Sequence, residues 1–305
     1  MTGPKERPKS VALAAEKARA LRVERLKAQL SQKLENAAAA IDALIAEAGD
    51  GDPQTELWEQ LHACAYRSGA QAALSDAYNR SVVGPRMKRL SRQQQADVLM
   101  HAADWFQGIM GDTATADSYL EKVLAIMPGQ EDAFARLEKR YEKQLDHKKM
   151  LELYATVADS PPRALQVFAT QALNRILPLK PSDVVSDEAC RKLVALVPAN
   201  PKLLDALENH ARATKRPALA CELIEQALLD ETMPEAQVVQ RRHRLLELYL
   251  GEAASPGPAV AHVEKLLERD PNDDKAMKAG ERLLGVREVA SRAAAALSNA
   301  RRARS

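Results

Sequence analysis

The sequence predicts an all-α fold: an α-solenoid of about seven helix-turn-helix repeats over residues 54–300, preceded by one long helix over residues 11–49. Three observations carry this reading. First, Pro128, Pro162, Pro198, Pro234 and Pro271 punctuate the chain at gaps of 34, 36, 36 and 37 residues. A fixed period in the mid-thirties marks stacked helical hairpins. Second, turn candidates at Gly69, Gly111, Asp146, Lys180, Lys215, Gly251 and Gly285 follow the same spacing after a first gap of 42 residues. Third, aromatics make up only 4% of the chain and strand-type alternation is hard to find, which favours helix over sheet.

The elements follow in order. Residues 1–10, with Pro4, Pro8 and polar neighbours, read as a disordered basic N-terminus. From Val11 to Ala48 there is no proline or glycine, so one helix of roughly 55–60 Å is expected. Its apolar side runs Leu30, Leu34, Ala37, Ile41, Leu44, Ala48, an alternation of four and three that suits a seam against another helix. That helix either caps the array or self-associates with a second copy. Gly49 to Pro53 is a linker, with Asp52 as a helix cap and Pro53 at a first helical position. The segment Gly84–Arg92 holds the excess of the first period as a basic loop. Ser160 before Pro161-Pro162, Asn200 before Pro201 and Thr214 before Pro217 mark later helix starts. Residues 301–305 form a basic tail.

Charge is nearly balanced, with 44 basic and 42 acidic residues, so no net field points to nucleic acid. The bias is local: residues 1–30 carry eight Lys/Arg against three Glu, and Arg86, Lys88, Arg89, Arg92 and Arg301, Arg302, Arg304 are clustered. Cys64, Cys190 and Cys221 fall among apolar helical positions with no C-x-x-C pair, which suits buried free thiols in a reducing compartment. No signal-peptide run and no stretch of about 18 apolar residues occurs. A soluble cytoplasmic protein is expected.

Residues 131–162 place Phe134, Leu137 and Tyr141 on a first helix and Met150, Tyr154 and Val157 on a second, ending in Pro162. Residues 201–232 repeat the spacing with Leu204, Leu207, Ala211, then Ala220, Ile224 and Ala227. Second helices give Ala116, Leu120, Val123, Pro128 and Ala259, Val263, Leu266, Pro271. This pattern resembles the tetratricopeptide repeat, in degenerate form, over about 250 residues. Where that family has a small residue after the first-helix Leu, this chain has Glu138, Asn174 or Glu208, and only Gly280 is glycine.

Motifs for chemistry are missing. The six histidines, His62, His101, His147, His210, His243 and His262, form no H-E-x-x-H or H-x-x-x-H pair, so a helix-borne zinc site lacks its spacing. There is no phosphate loop, dinucleotide turn or nucleophile elbow. Asp273-Asp274 and Glu131-Asp132 stand at helix starts, where they oppose the helix dipole. Trp58, Trp105, Phe106, Tyr119, Phe134, Tyr141 and Tyr154 read as core. No catalytic residue, metal ligand or cofactor is expected.

The resemblance implies a concave groove lined by first helices that bind a partner protein or peptide. Projected on that face are Lys139, Arg175, Lys202, Asn209 and Arg212, with Asp132 and Asp205 as acidic exceptions. The expected groove is mildly cationic and suited to an acidic segment. The family's carboxylate-gripping set is absent, since only Asn209 matches one of its positions. The expected function is a non-catalytic scaffold or adaptor; the alternative is a repeat-based RNA binder using the basic loop and termini.

Overall fold

A computed structural model describes residues 9–50, 55–158 and 165–304, and among these the chain is all-helical, with no strand. It divides into two compact units, residues 1–139 and 140–305. Unit 1 contains α1 (Lys9–Leu30), α2 (Ala37–Asp50), α3 (Thr55–Arg67), α4 (Gln71–Ser81), α5 (Arg92–Asp104) and α6 (Thr113–Ile126). A single wider turn, Trp105–Ile109, extends α5. Helix α7 (Glu131–Gln144) carries the division between units. Unit 2 continues with α8 (His147–Ala158), α9 (Leu165–Ile176), α10 (Asp187–Leu193), α11 (Pro201–Ala213), α12 (Pro217–Ala227), α13 (Glu235–Leu250), α14 (Pro256–Arg269), α15 (Asp274–Leu283) and α16 (Ala290–Arg304).

All seven sequence-predicted turns fall in loops between consecutive helices, from α3/α4 at Gly69 to α15/α16 at Gly285. Three share one geometry. At Gly69, Leu145 and Lys215 the backbone turns left-handed, with φ of 66°, 54° and 60°. The next N–H bonds back five residues, Ala70 to Ala65, Asp146 to Tyr141 and Arg216 to Ala211, at 2.8–3.0 Å. The left-handed residue itself bonds back three, as in Lys215 to Arg212 at 2.9 Å. This pair of bonds satisfies the orphan carbonyls of a helix end and fixes the reversal.

Four expectations require correction. The long helix over 11–49 is two helices, interrupted at residues 31–36. No breaker residue is needed, because tertiary partners capture the freed backbone. Leu34 N–H donates to Ser68 Oγ at 3.1 Å, Cys64 Sγ lies 3.3 Å from Gln32 O, and Asn36 Oδ1 accepts from Ala39 N–H at 3.0 Å to start α2. Helix α1 begins at Lys9, so residues 9 and 10 are helical. The basic tail is the last turn of α16, where cations suit the helix dipole and Arg304 Nε donates to Pro271 O at 2.6 Å. Thr214 closes α11 rather than opening α12, its hydroxyl donating to His210 O at 2.8 Å. Residues 1–8, the Asp52-Pro53 cap and the Ser160-Pro161-Pro162 start lie outside the described residues.

In unit 1, the seam residues Leu30, Ala37, Ile41 and Leu44 are buried, with α1 packed on α2 and α3 and α2 on α3, α4 and α5. Trp58, Trp105, Phe106, Tyr78 and Tyr119 fill the interior. Their polar tips find partners: Trp105 Nε1 donates to Ser75 Oγ at 3.0 Å and Tyr119 Oη to Asn79 Oδ1 at 2.7 Å. In unit 2 the main contacts join helices one or two places apart along the chain, from α8/α9 and α8/α10 to α14/α16 and α15/α16. Gly280 is the tightest of these approaches, since a Cβ there would meet Leu297 Cδ2 at 3.0 Å and Val263 Cγ1 at 3.3 Å. Cys64, Cys190 and Cys221 are buried free thiols.

His62 is half-buried at the edge of the unit 1 core, its Nε2 2.6 Å from Tyr78 Oη. Burial drives its pKa down from 6.5 to about 4. Between those values the unfolded chain takes up a proton that the folded chain refuses, so stability falls as pH falls through the window. From pH 7 to pH 5 this amounts to about 2 kcal/mol. Urea titrations at the two pH values should show that loss, and His62→Gln should remove most of it.

The left-handed residue Lys215 carries a Cβ where glycine fits without strain. Lys215→Gly should therefore raise stability by roughly 0.5–1 kcal/mol, the relief exceeding the added chain entropy. Thermal melting of the variant checks this, and a lower midpoint would contradict the assigned turn.

Candidate functional site

The candidate face is built on α9, α11 and α13 of unit 2. On α11 the apolar residues Leu203, Leu204, Leu207 and Ala211 are buried, which turns Lys202, Asp205, Asn209 and Arg212 to the opposite side at helical spacing. Lys202, Asp205 and Asn209 are exposed and Arg212 is half-buried. Arg175 occupies the corresponding side of α9, also half-buried. Lys139 is exposed on α7 at the end of unit 1.

Ion pairs connect this face across successive hairpins. Arg175 donates to Glu142 Oε1 at 2.8 Å. Arg241 on α13 pairs with Asp205 on α11, and Arg244 with Glu208 at 2.6 Å. Arg212 Nε bonds both oxygens of Glu252 at 3.1 Å, and this hydrogen bonding holds the Glu252 carboxyl below the usual range. His243 Nε2 reaches Asp273 Oδ2 at 2.6 Å, while Asp273 Oδ1 caps α15 through Ala276 N–H. One carboxylate thus joins two hairpins and starts a helix.

Glu208 is the least expected member. Its side chain is acidic, yet the residue is only 4% exposed. A carboxylate so placed is costly unless paired. Arg244 donates from Nε at 2.8 Å, and Arg212 lies at 3.8 Å. The burial of this acid is thereby offset by two guanidinium groups.

The expected cationic groove is consequently changed in character. Two of its five residues, Arg175 and Arg212, are neutralised by Glu142 and Glu252, neither of which the sequence reading placed there. Lys202 and Asn209 remain as the exposed polar pair on α11, one cation and one amide without a carboxylate partner among the described residues. The missed residues had a signal: Glu142 to Arg175, Asp205 to Arg241, Glu208 to Arg244 and Arg212 to Glu252 are separated by 33, 36, 36 and 40 residues, about one repeat period. Each pair joins elements two places apart along the chain, α7 to α9, α11 to α13 and α11 to the loop after α13.

The opposite side of unit 2 follows the same rule. Arg191 grips both oxygens of Glu222 at 2.7 and 3.0 Å, and Ser186 bonds Glu152 through its N–H and hydroxyl. His262, 3% exposed, sits 2.6 Å from Glu225 Oε1 and stacks on Tyr249. Its hydrogen bond is the main cause of the lowered Glu225 pKa. His62, His243, His262 and His210 thus serve separate hydrogen bonds, His210 accepting from Val185 N–H at 3.4 Å. Among the described residues no helix is long and apolar enough to cross a membrane. Comparison with protein-family models and with curated proteins returns no match.

Because Glu208 is buried, its two-way linkage to Arg244 can be measured. Arg244→Met should cost roughly 2–3 kcal/mol by stranding the carboxylate, and adding Glu208→Met should return most of that loss. A double-mutant cycle in urea checks it; simple additivity would show the pair to be uncoupled.

Proposed function

We propose that this chain is a non-catalytic scaffold or adaptor, built from tetratricopeptide-like hairpins in a right-handed superhelical array, that binds a partner protein through the concave face of its first helices. The observation carrying this reading is the one-period linkage of unit 2. Helices touch those one or two places along the chain, and side-chain bonds tie residues about one repeat apart. Such a body supplies contiguous surface without closing a pocket, which suits extended partners. The repeated left-handed turns at Leu145 and Lys215 support a common hairpin geometry.

On that face Lys202 and Asn209 are the residues proposed to meet the partner. Arg175 and Arg212 frame them, held by Glu142 and Glu252. A partner segment with a carboxylate for Lys202 and a backbone amide group for Asn209 fits this arrangement, since an exposed cation and a primary amide offer a donor array and one acceptor.

The test is affinity capture from the native cell with wild-type chain and a Lys202→Glu, Asn209→Glu variant. Proteins retained by the wild type should drop at least about tenfold with the variant, while the thermal midpoint stays within roughly 2 °C, because both residues are exposed. Unchanged capture would remove this face from the proposal. Retention of nucleic acid with steep salt sensitivity would favour an RNA-binding role instead.

A further inference from the structure

The connection between α4 and α5 in unit 1 contains the extra residues of the first period, and it concentrates positive charge. Arg80, Arg86, Lys88, Arg89 and Arg92 fall within thirteen positions, and no acidic residue lies between Asp76 and Asp97. All five cations are exposed. An ion pair brings one carboxylate to them, Asp42 to Arg86 at 3.0 Å.

This segment is fixed locally rather than left loose. Met87 is 3% exposed and anchors a short tight turn, closed by Arg89 N–H to Arg86 O at 3.0 Å and Leu90 N–H to Met87 O at 3.1 Å. Gln95 Nε2 bonds Leu90 O at 2.9 Å. Ser91 and Gln94 then form a reciprocal cap at the start of α5, whose first turn contains no acidic residue. Among the cations stands an apolar group: Val83 is 70% exposed, with Pro85 exposed beside it.

We propose that this loop is a docking site for an acidic segment of a partner protein carrying an aliphatic side chain among its carboxylates. The four cations other than Arg86 supply a local positive field that attracts anions and is screened by salt. Charge alone would suit a phosphate backbone equally. Val83 and Pro85 separate the cases, because an apolar patch gains from covering by an aliphatic side chain, and the loop contributes no aromatic residue on which a base could stack. This site is independent of the α9–α11–α13 face and can stand or fall without it.

The experiment measures binding of fluorescein-labelled probes to the full chain by anisotropy. The probes are a peptide of Glu-Glu-Leu repeats, its Gln-Gln-Leu counterpart, a single-stranded RNA of equal length, and vesicles containing an anionic phospholipid. The Glu peptide should bind, and binding should weaken between about 50 and 200 mM salt. The variant Lys88→Glu, Arg89→Glu, Arg92→Glu should weaken it at least about tenfold, and Val83→Ser about threefold. Folding of the triple variant is checked by its helical melt, and a glutamate at the first position of α5 favours the helix. Equal binding of the Gln peptide, no binding of the Glu peptide, or an unweakened triple variant would each overturn the proposal. Tighter binding of RNA or vesicles than of the Glu peptide, insensitive to Val83→Ser, would overturn the assignment to a protein partner.

Discussion

A helical hairpin standing alone leaves the outer apolar flank of both its helices in water, and everything else in unit 2 follows from how that flank is covered. Helix α12 meets α10, α11 and α13; α14 meets α13, α15 and α16. Each of these helices is therefore covered by its neighbours along the chain. Burying a leucine or valine stabilises by about 1.5–3 kcal/mol, and unit 2 buries them in chain order: Leu203, Leu204, Leu207, then Leu219, Leu223, Ile224, then Leu245, Leu246, then Val260, Val263, Leu266. The polar links are subordinate to this packing, since it brings partners distant in sequence within reach of one another.

Those polar links nonetheless do something packing does not. Apolar flanks tolerate sliding by a turn, whereas Arg244 on Glu208 and Arg191 on both oxygens of Glu222 permit one register. A buried carboxylate is a poor source of net stability; its value lies in the penalty a shifted register would incur by leaving it unpaired. Glu208 on α11 and Gly280 on α15 are both sites of close approach. The two positions reach close approach differently. Gly280 admits Leu297 and Val263 against its backbone, while Glu208 admits a guanidinium.

Helix content and turn positions were legible because proline, glycine and the period constrain backbone geometry directly. The period even located turns without glycine, at Leu145 and Lys215, whose left-handed φ no local propensity would assign. The break at residues 31–36 was not legible, because nothing in Ser31 to Asn36 forbids a helix. It is paid for by Ser68 and Cys64, more than thirty residues away. The candidate face was legible in part. Helical spacing put Lys202, Asn209 and Arg212 together on one side of α11, but which cations would be neutralised depended on Glu142 and Glu252, contributed by neighbouring hairpins. Tertiary neutralisation is invisible until the neighbour relation is known.

That distinction between paired and unpaired charge limits where binding energy can come from. A partner carboxylate approaching Arg212 must compete with Glu252, which already supplies two oxygens at 3.1 Å; exchange of one carboxylate for another gains little. Lys202 has no such competitor, so a new ion pair there keeps whatever it gains after desolvation. The same reasoning separates Arg86, held by Asp42, from Lys88, Arg89 and Arg92 beside it. Counting cations on a face therefore overstates its attraction for acidic partners. The useful quantity is the number still lacking a carboxylate after the fold has formed; it sets aside Arg212 and Arg86 and keeps Lys202 on α11 and Lys88, Arg89 and Arg92 in the α4–α5 connection.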